Sequence, residues 1–524
     1  MKRTTMVEPE PRAWLPYPHV MGGAPLDVWF RLLCRPPVRV PLRYWPRLLG
    51  ALCTSAMSTL LTLPERIMFA LWWRWQRPAG DTSPPPVFVL GYYRSGTTHL
   101  QYLLDCDPQL YSPQWAQTLA PQGFVLSWSL LRALFIPFMP ATRPVDALAF
   151  GPDVPSEDDF ALCNWALASS LPGRSVVPHA HRFYDRFHDL RALTPAERAR
   201  WSDYQLAFTH KLTFVARGRR LLLKTPSHTA RLETLLELFP GAKFIHITRH
   251  PQAVLRSNMT LASIVLRRYA LQPALPADEM QDHLASEYLG TERRYLAMRS
   301  QVPPGQLAEI RFQDLLADPL GEIRRVYATL GLPFAAAFER RLLAYLDFTR
   351  NYAGNLHADW TDEQTRQHAP LVAFLSQAFG HNRPAIPMVT PPRPPDRPRA
   401  MTAAFAAAVA AVAAAVVWLT LAQVTLNRHD SFVWPTGIII GYATHRAAGR
   451  GDTRLGVWAV LLTVGVLLCI PFFNSWTLQH AGHSAFTTND VWRTTVHHLG
   501  TPAHLFWIFM GLATAYRVAS RRWP

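Results

Sequence analysis

The chain has 524 residues and a formal net charge of +17, from 53 Lys and Arg against 36 Asp and Glu. That excess suits an anionic leaflet or an anionic nucleotide and needs no nucleic acid to explain it. The cysteines, Cys34, Cys53, Cys106, Cys163 and Cys469, lie far apart without a CxxC pair, which argues against a disulfide framework and reads as reduced, buried thiols in a cytosolic setting.

The first residues, MKRTTMVEPEPRAWLPYPHV, carry charge but no apolar h-region with a cleavage site, so no secretory signal is expected. Residues 47–77 mix apolar helix turns with tryptophans and arginines, and Pro64 splits them into two predicted helices. Neither half is a convincing span. Both suit a membrane interface as amphipathic helices, or equally a cover over the domain that follows. This flank is taken as 1–83.

Residues 86–98, PVFVLGYYRSGTT, begin as an apolar β-type run, break at Gly91 into a small-residue loop, and continue as helix-compatible sequence through Leu104. Backbone N–H groups of Ser95, Gly96, Thr97 and Thr98 are expected to point into one concavity, where the positive end of the helix favours an anion. The spacing nearly matches a Walker A loop, but Thr97 stands where its lysine belongs and Arg94 supplies the charge earlier, which argues against ordinary ATP hydrolysis.

Further on, Glu157, Asp158 and Asp159 precede the apolar FALCNWAL, predicting a helix capped by Ser156 with acids in its first turn, where the dipole favours them. The run LLLK at 221–224 ends on Lys224, one of four lysines in the chain, and strand ends face the ligand crevice of open α/β sheets. In KFIHITRHPQAVLRS, 243–257, a β-rich run meets Arg249, Pro251 opens a helix, and Ser257 follows. A forked guanidinium plus a hydroxyl at R-x7-S suits a phosphate separate from the first. Two phosphate sites imply an unusual nucleotide. Strands are predicted near 86–91, 219–223, 243–248 and 307–312, giving an α/β, P-loop-like three-layer domain with a short parallel sheet over 84–385.

A proline-arginine linker, 386–399, then favours extended backbone and separates a second domain, 400–524. Residues 401–426 are uncharged and, at ~1.5 Å per residue, long enough to cross a hydrocarbon core of ~30 Å. Residues 455–473 and 503–516 are further candidate spans, while 431–444 is shorter, contains Pro435, and either spans or re-enters. The predicted domain is all-α with about four membrane helices. Arginines 393, 397 and 399, then 446, 450 and 454, then 517, 521 and 522 flank these spans so that both termini, and the 84–385 domain, face the cytoplasm. The histidines of 475–504 have no cysteine among them and a single acid, Asp490, and no metal is expected.

Taken together, YYRSGTT, LLLKTPSH, RHPQAVLRS and RFQDLLADPLGEIRRVYATLGL resemble, in order, motifs of the sulfotransferases that use 3′-phosphoadenosine-5′-phosphosulfate (PAPS), most closely their bacterial branch and the related tyrosylprotein enzymes. The resemblance spans roughly 84–335. It implies that Arg94, Ser95, Gly96, Thr97 and Thr98 hold the 5′-phosphosulfate, that Arg249 and Ser257 hold the 3′-phosphate, and that Lys224 is catalytic. Related bacterial enzymes often carry an acidic stretch like 157–159, which makes Glu157 the first choice for the general base, with His228 and His99 as alternatives. Some relatives place a glutamate after a tryptophan near the end of the first helix; here Ala116 follows Trp115, and the base stays open. A glycine-containing lid is expected near 351–360, with Tyr352 and Gly354, or else an ordinary turn. The expected activity is membrane-anchored sulfuryl transfer from PAPS to a hydroxyl, with a lipid or lipid-linked glycan as acceptor, at the inner (cytoplasmic) membrane. The alternatives are a P-loop-like nucleotide kinase and a noncatalytic membrane scaffold with a nucleotide pocket.

Overall fold

Alternation along the central strands builds two apolar faces at once. Val87 and Val89 face one side while Phe88 and Leu90 face the other, and all four are fully buried. A strand covered on both faces must be apolar throughout, which is why these runs read as continuous rather than alternating. The strands are β1 (Val87–Leu90), β2 (Leu110–Tyr111), β3 (Arg220–Lys224), β4 (Lys243–Thr248) and β5 (Leu307–Arg311), all parallel in the order β2-β3-β1-β4-β5. The computed structural model describes residues 19–35, 38–75, 84–127, 151–349 and 360–381, with a few helical positions between 436 and 515.

Parallel neighbours need helical crossovers. The longer helices are α1 (Leu26–Leu33), α2 (Trp45–Trp75), α3 (Thr97–Leu104), α4 (Asp158–Ala166), α5 (Pro195–Ala216), α6 (Pro251–Tyr269), α7 (Ala277–Met298), α8 (Pro319–Leu330), α9 (Ala336–Thr349) and α10 (Asp362–Phe379). On one face α3 and α8 pack Leu100, Leu103, Ile323 and Val326 against Val87, Val89, Ile245 and Ile310. On the other, α5 and α7 bring Phe208, Leu212 and Tyr295 to Phe88, Leu90, Leu223 and Phe244. This is the expected three-layer α/β domain. The four predicted strands are present within a residue of their expected limits; β2, two residues long, was not foreseen, because so short a run carries no periodic signal.

The N-terminal flank differs from expectation. Residues 45–75 form one helix with Pro64 inside it. A proline within a helix removes a hydrogen bond and crowds the preceding turn. Here the next residue, Glu65, anchors the helix: its carboxylate pairs with Lys211 of α5 at 2.8 Å and accepts the backbone N–H groups of Val125, Leu126 and Ser127. Both α1 and α2 lie on the domain, sharing a cluster of Val28, Leu32, Leu48 and Ala51 with Cys163 and Leu167 of α4. Among the described residues, the helical run Leu42–Arg74 is the one long and apolar enough to cross a membrane by length and composition. The expected linker 386–399 and Tyr352 and Gly354 of the expected lid lie outside the described residues, as does nearly all of the expected domain 400–524.

Candidate active site

The C-terminal ends of β1, β3 and β4 converge, and each delivers one part of the site. After β1 the chain turns through Gly91 at φ 137°, Arg94 at φ 70° and Gly96 at φ 106° before α3 begins at Thr97. A side chain at Gly96 would meet the Phe312 ring at 2.4 Å, and one at Gly91 would meet the Ile247 carbonyl at 2.5 Å. Only glycine fits at either point. Arg94 holds a left-handed conformation that costs a non-glycine residue about 1 kcal/mol, a strain typical of ligand-clamping loops. The first-turn amides of α3 have no acceptor within the helix and face the crevice end of the sheet. Ser95 departs from its expected role: its N–H and its hydroxyl both donate to the Tyr92 carbonyl, at 3.1 and 2.6 Å, so it closes the loop on itself.

Arg94 and Ser257, assigned by sequence to two different phosphate groups, are in contact. Arg94 Nε donates to Ser257 Oγ at 2.8 Å, and Arg249 Nη1 reaches the Arg94 carbonyl at 3.4 Å. The Arg249 guanidinium lies 4.8 Å from the centre of the Phe312 ring, the same ring that closes on Gly96. Phe312, at the start of the helix after β5, thus couples the two phosphate motifs. An isolated phenylalanine carries no such signal in sequence.

Lys224, the last residue of β3 and almost fully buried, donates to Glu157 Oε1 at 2.5 Å and lies 3.3 Å from Thr98 Oγ1. It therefore bridges the first turn of α3 and the acidic run. Glu157 is the N-cap residue of α4, which begins at Asp158; Ser156 does not cap it, and bonds instead to the Thr118 hydroxyl at 2.8 Å. The reason lies in the next two acids. Asp158 is wholly buried and accepts from Thr225 Oγ1 at 2.8 Å and Gln205 Nε2 at 3.0 Å, with His228 Nε2 at 2.7 Å. Asp159 pairs with buried Arg231 at 2.8 Å, and its N–H donates to the Thr225 hydroxyl at 3.1 Å. Both carboxylates bind the segment just after Lys224, fixing the start of α4 against the end of β3 and leaving Glu157 turned to the lysine. Burial alone would raise the Asp158 carboxyl, but His228 and the three hydrogen bonds hold it below the usual carboxylate range.

This geometry separates the three base candidates. Glu157 is partly exposed beside Lys224. His228 is fully buried and committed to Asp158, a positioning arrangement. His99 is pushed down to about 4 by burial. The Trp115 ring lies tilted against Phe160 of α4 at 4.9 Å, and its segment bonds to residues 152–156, so it supports the acidic run from behind. Beyond these residues, Tyr93 bonds Ser227 at 3.3 Å, and Ser227 lies 3.3 Å from His188 Nδ1. A metal-ligand type grouping among the described residues, His181, Asp185 and His283, has its ligand atoms within 4.8 Å of one another.

The donor set is cationic and hydroxylic throughout, with Arg94, Arg249 and Lys224 joined by Thr98, Ser257 and a helix N-terminus, and it fits an anionic nucleotide phosphorylated at two places. A family model described as the sulfotransferase family matches residues 85–336. The omega-hydroxy-beta-dihydromenaquinone-9 sulfotransferases Stf3 of Mycobacterium bovis and Mycobacterium tuberculosis are 32% identical over 338 residues, 64% of this chain and 84% of theirs. The chain belongs to the sulfotransferase family. Human carbohydrate sulfotransferase 5 is 26% identical over 284 residues, 50% of this sulfotransferase and 65% of its own length. Among solved structures, sulfotransferase STF9 from Mycobacterium avium superposes with a TM-score of 0.47 at 20% identity, covering 68% of this chain and 97% of that one. Membership in an enzyme family displaces the kinase and scaffold alternatives.

Proposed function

We propose that this sulfotransferase moves a sulfuryl group from PAPS to the hydroxyl of a lipid or lipid-linked acceptor, with its catalytic domain on the cytoplasmic side of the inner membrane. The observation that carries the reading is the Lys224 ammonium held between Glu157 Oε1 and Thr98 Oγ1 at the mouth of the phosphate loop. PAPS supplies a sulfuryl group on a phosphate leaving oxygen. Arg249 and Ser257 would hold its 3′-phosphate, and Thr97, Thr98 and the N-terminus of α3 its 5′ side. Lys224 and Arg94 put fixed positive charge where negative charge builds on the sulfuryl and bridging oxygens, the largest catalytic contribution available without a metal. Glu157 takes the acceptor's hydroxyl proton as the new O–S bond forms and the old S–O bond breaks. Its 2.5 Å contact with Lys224 holds the carboxylate in place until an acceptor arrives.

Support for a lipid acceptor comes from the Stf3 relatives, whose names specify a hydroxylated menaquinone. Support for the membrane comes from the uncharged run 401–426 and the arginine pattern around the later apolar segments. The donor assignment is tested by titrating the full chain with 3′-phosphoadenosine-5′-phosphate (PAP) and with AMP. PAP should bind at least ~10-fold more tightly, about 1.4 kcal/mol, with the difference lost in Arg249→Ala. Equal affinity for the two nucleotides would overturn it.

A further inference from the structure

Helix α2 is inside out. Its hydroxyl and carboxylate residues Ser55, Ser58, Thr62 and Glu65, spaced three or four apart, are all buried against the protein. Ser55 donates to the Ala24 carbonyl, Ser58 to Gly23 O at 2.9 Å, and Glu65 makes its ion pair with Lys211. The opposite side carries Leu42, Trp45, Leu49, Leu60, Ile67 and Leu71, which are 78%, 47%, 53%, 70%, 55% and 50% exposed. These fall on a repeat of three or four residues along the helix and its preceding turn, so they form one stripe about 45 Å long at ~1.5 Å per residue. A surface helix in water places its apolar stripe inward and its polar one outward. Single exposed leucines are ordinary, but a continuous apolar stripe marks an interaction surface.

We propose that this outer face docks on an anionic lipid bilayer, with α2 lying in the interfacial plane, its apolar stripe among the acyl chains and its polar face gripping the sulfotransferase domain. Charge on the page favours this occupant. Within residues 19–75 the acids are Asp27 and Glu65, both paired, against Arg31, Arg35, Arg39, Arg43, Arg47, Arg66 and Arg74, so the unpaired charge is positive. Trp45, 47% exposed, lies on the stripe itself, as an aromatic ring on the apolar face of an interfacial helix does. The face also has a route to chemistry. Leu48 and Ala51 of α2 belong to the same buried cluster as Cys163 of α4, the helix whose N-cap is Glu157, and Leu167 just after it. In this last respect the inference rests on the lipid-acceptor reading; the docking itself does not.

The test is photolabelling of the full chain in vesicles of phosphatidylglycerol and phosphatidylethanolamine that contain a diazirine on the lipid acyl chain, with adducts mapped by mass spectrometry. Adducts are expected at the outer positions of 42–71 and not at Ser55, Ser58 or Thr62. A vesicle-bound chain labelled in 401–426 but not in 42–71 would overturn the proposal. So would crosslinks showing that residues 401–426 of the same chain, or a second copy, cover the stripe. A Leu60→Glu/Ile67→Glu variant should keep its PAP affinity and lose about tenfold in transfer to a vesicle-embedded acceptor. Adducts on α2 without any sulfuryl transfer by the wild type would sink the lipid-acceptor reading and leave the docking intact.

Discussion

Lys224 and Glu157 are the pair on which the proposed chemistry turns, and each has a separable expected effect. Lys224→Ala should lower kcat by on the order of 100-fold to 1,000-fold, the usual loss when one positioned transition-state cation or donor is removed, while PAP binding changes far less. Wild-type turnover in that variant, measured by transfer of labelled sulfate, would remove Lys224 from catalysis. Glu157→Gln keeps the shape and loses the base; a kcat fall of roughly 100-fold or more is expected, and unchanged transfer would move proton removal to another group. Ser257→Ala acts elsewhere: it loses the Arg94 contact and a phosphate ligand, so the donor KM should rise by about tenfold, roughly 1.4 kcal/mol. At this scale much was legible. Arg94, Arg249 and Ser257 lie in contact beside the ends of β1 and β4, and Lys224 ends β3, at positions the motifs marked. What escaped was context. Phe312 closes on Gly96 and lies against Arg249, and His228 serves Asp158, both through contacts across more than fifty residues, while Ser95 is consumed by its own loop through Tyr92, three residues before it.

Between elements, two buried ionic contacts hold the layers that carry the site. Glu65 and Lys211 are each 1% exposed, and burial brings the Lys211 ammonium down to about 8 even though Glu65 opposes that shift. Removing one partner strands the other, so Glu65→Ala should cost about 3–5 kcal/mol of stability, visible as a lowered Tm, with α2 exposed to proteolysis first. The second contact joins Glu287 of α7 to Arg174, beside Tyr92 of the phosphate loop, whose hydroxyl donates to Glu287 at 2.9 Å. Burial alone would raise the Glu287 carboxyl, but Arg174, with His188 and His283, outweighs it and holds it at about 2. A carboxyl lower in the folded state than in the unfolded chain stabilises the fold above its ordinary range near 4.5 and loses that contribution as pH falls toward 2. Denaturant midpoints across that window should drop less steeply in Glu287→Gln than in wild type; parallel curves would contradict the assignment. The sequence located four of the five strands and the helices that begin near Thr97, Asp158 and Pro251, but not β2 or the long helices α5 and α7. It misjudged Pro64, because local propensity sees a helix breaker and not the Glu65 anchor one residue later that keeps α2 continuous.

Across the whole molecule, the sulfotransferase domain carries its glycine loop at the strand ends and, on its N-terminal layer, a helix with an outward apolar stripe whose inner side shares a buried cluster with Cys163 of α4. The chain past residue 400 continues into apolar segments whose composition predicts membrane crossing. In the proposed reading a donor from the cytoplasm and an acceptor from the bilayer meet at Lys224 and Glu157. The direct measurement is transfer of labelled sulfate from PAPS into a detergent-solubilised lipid extract by the full chain, with products resolved by mass spectrometry beside Arg94→Ala. The account predicts a lipid that gains one sulfate with the wild type and none with the variant. A chain that binds PAP but labels no lipid, or labels only a free glycan, would contradict it.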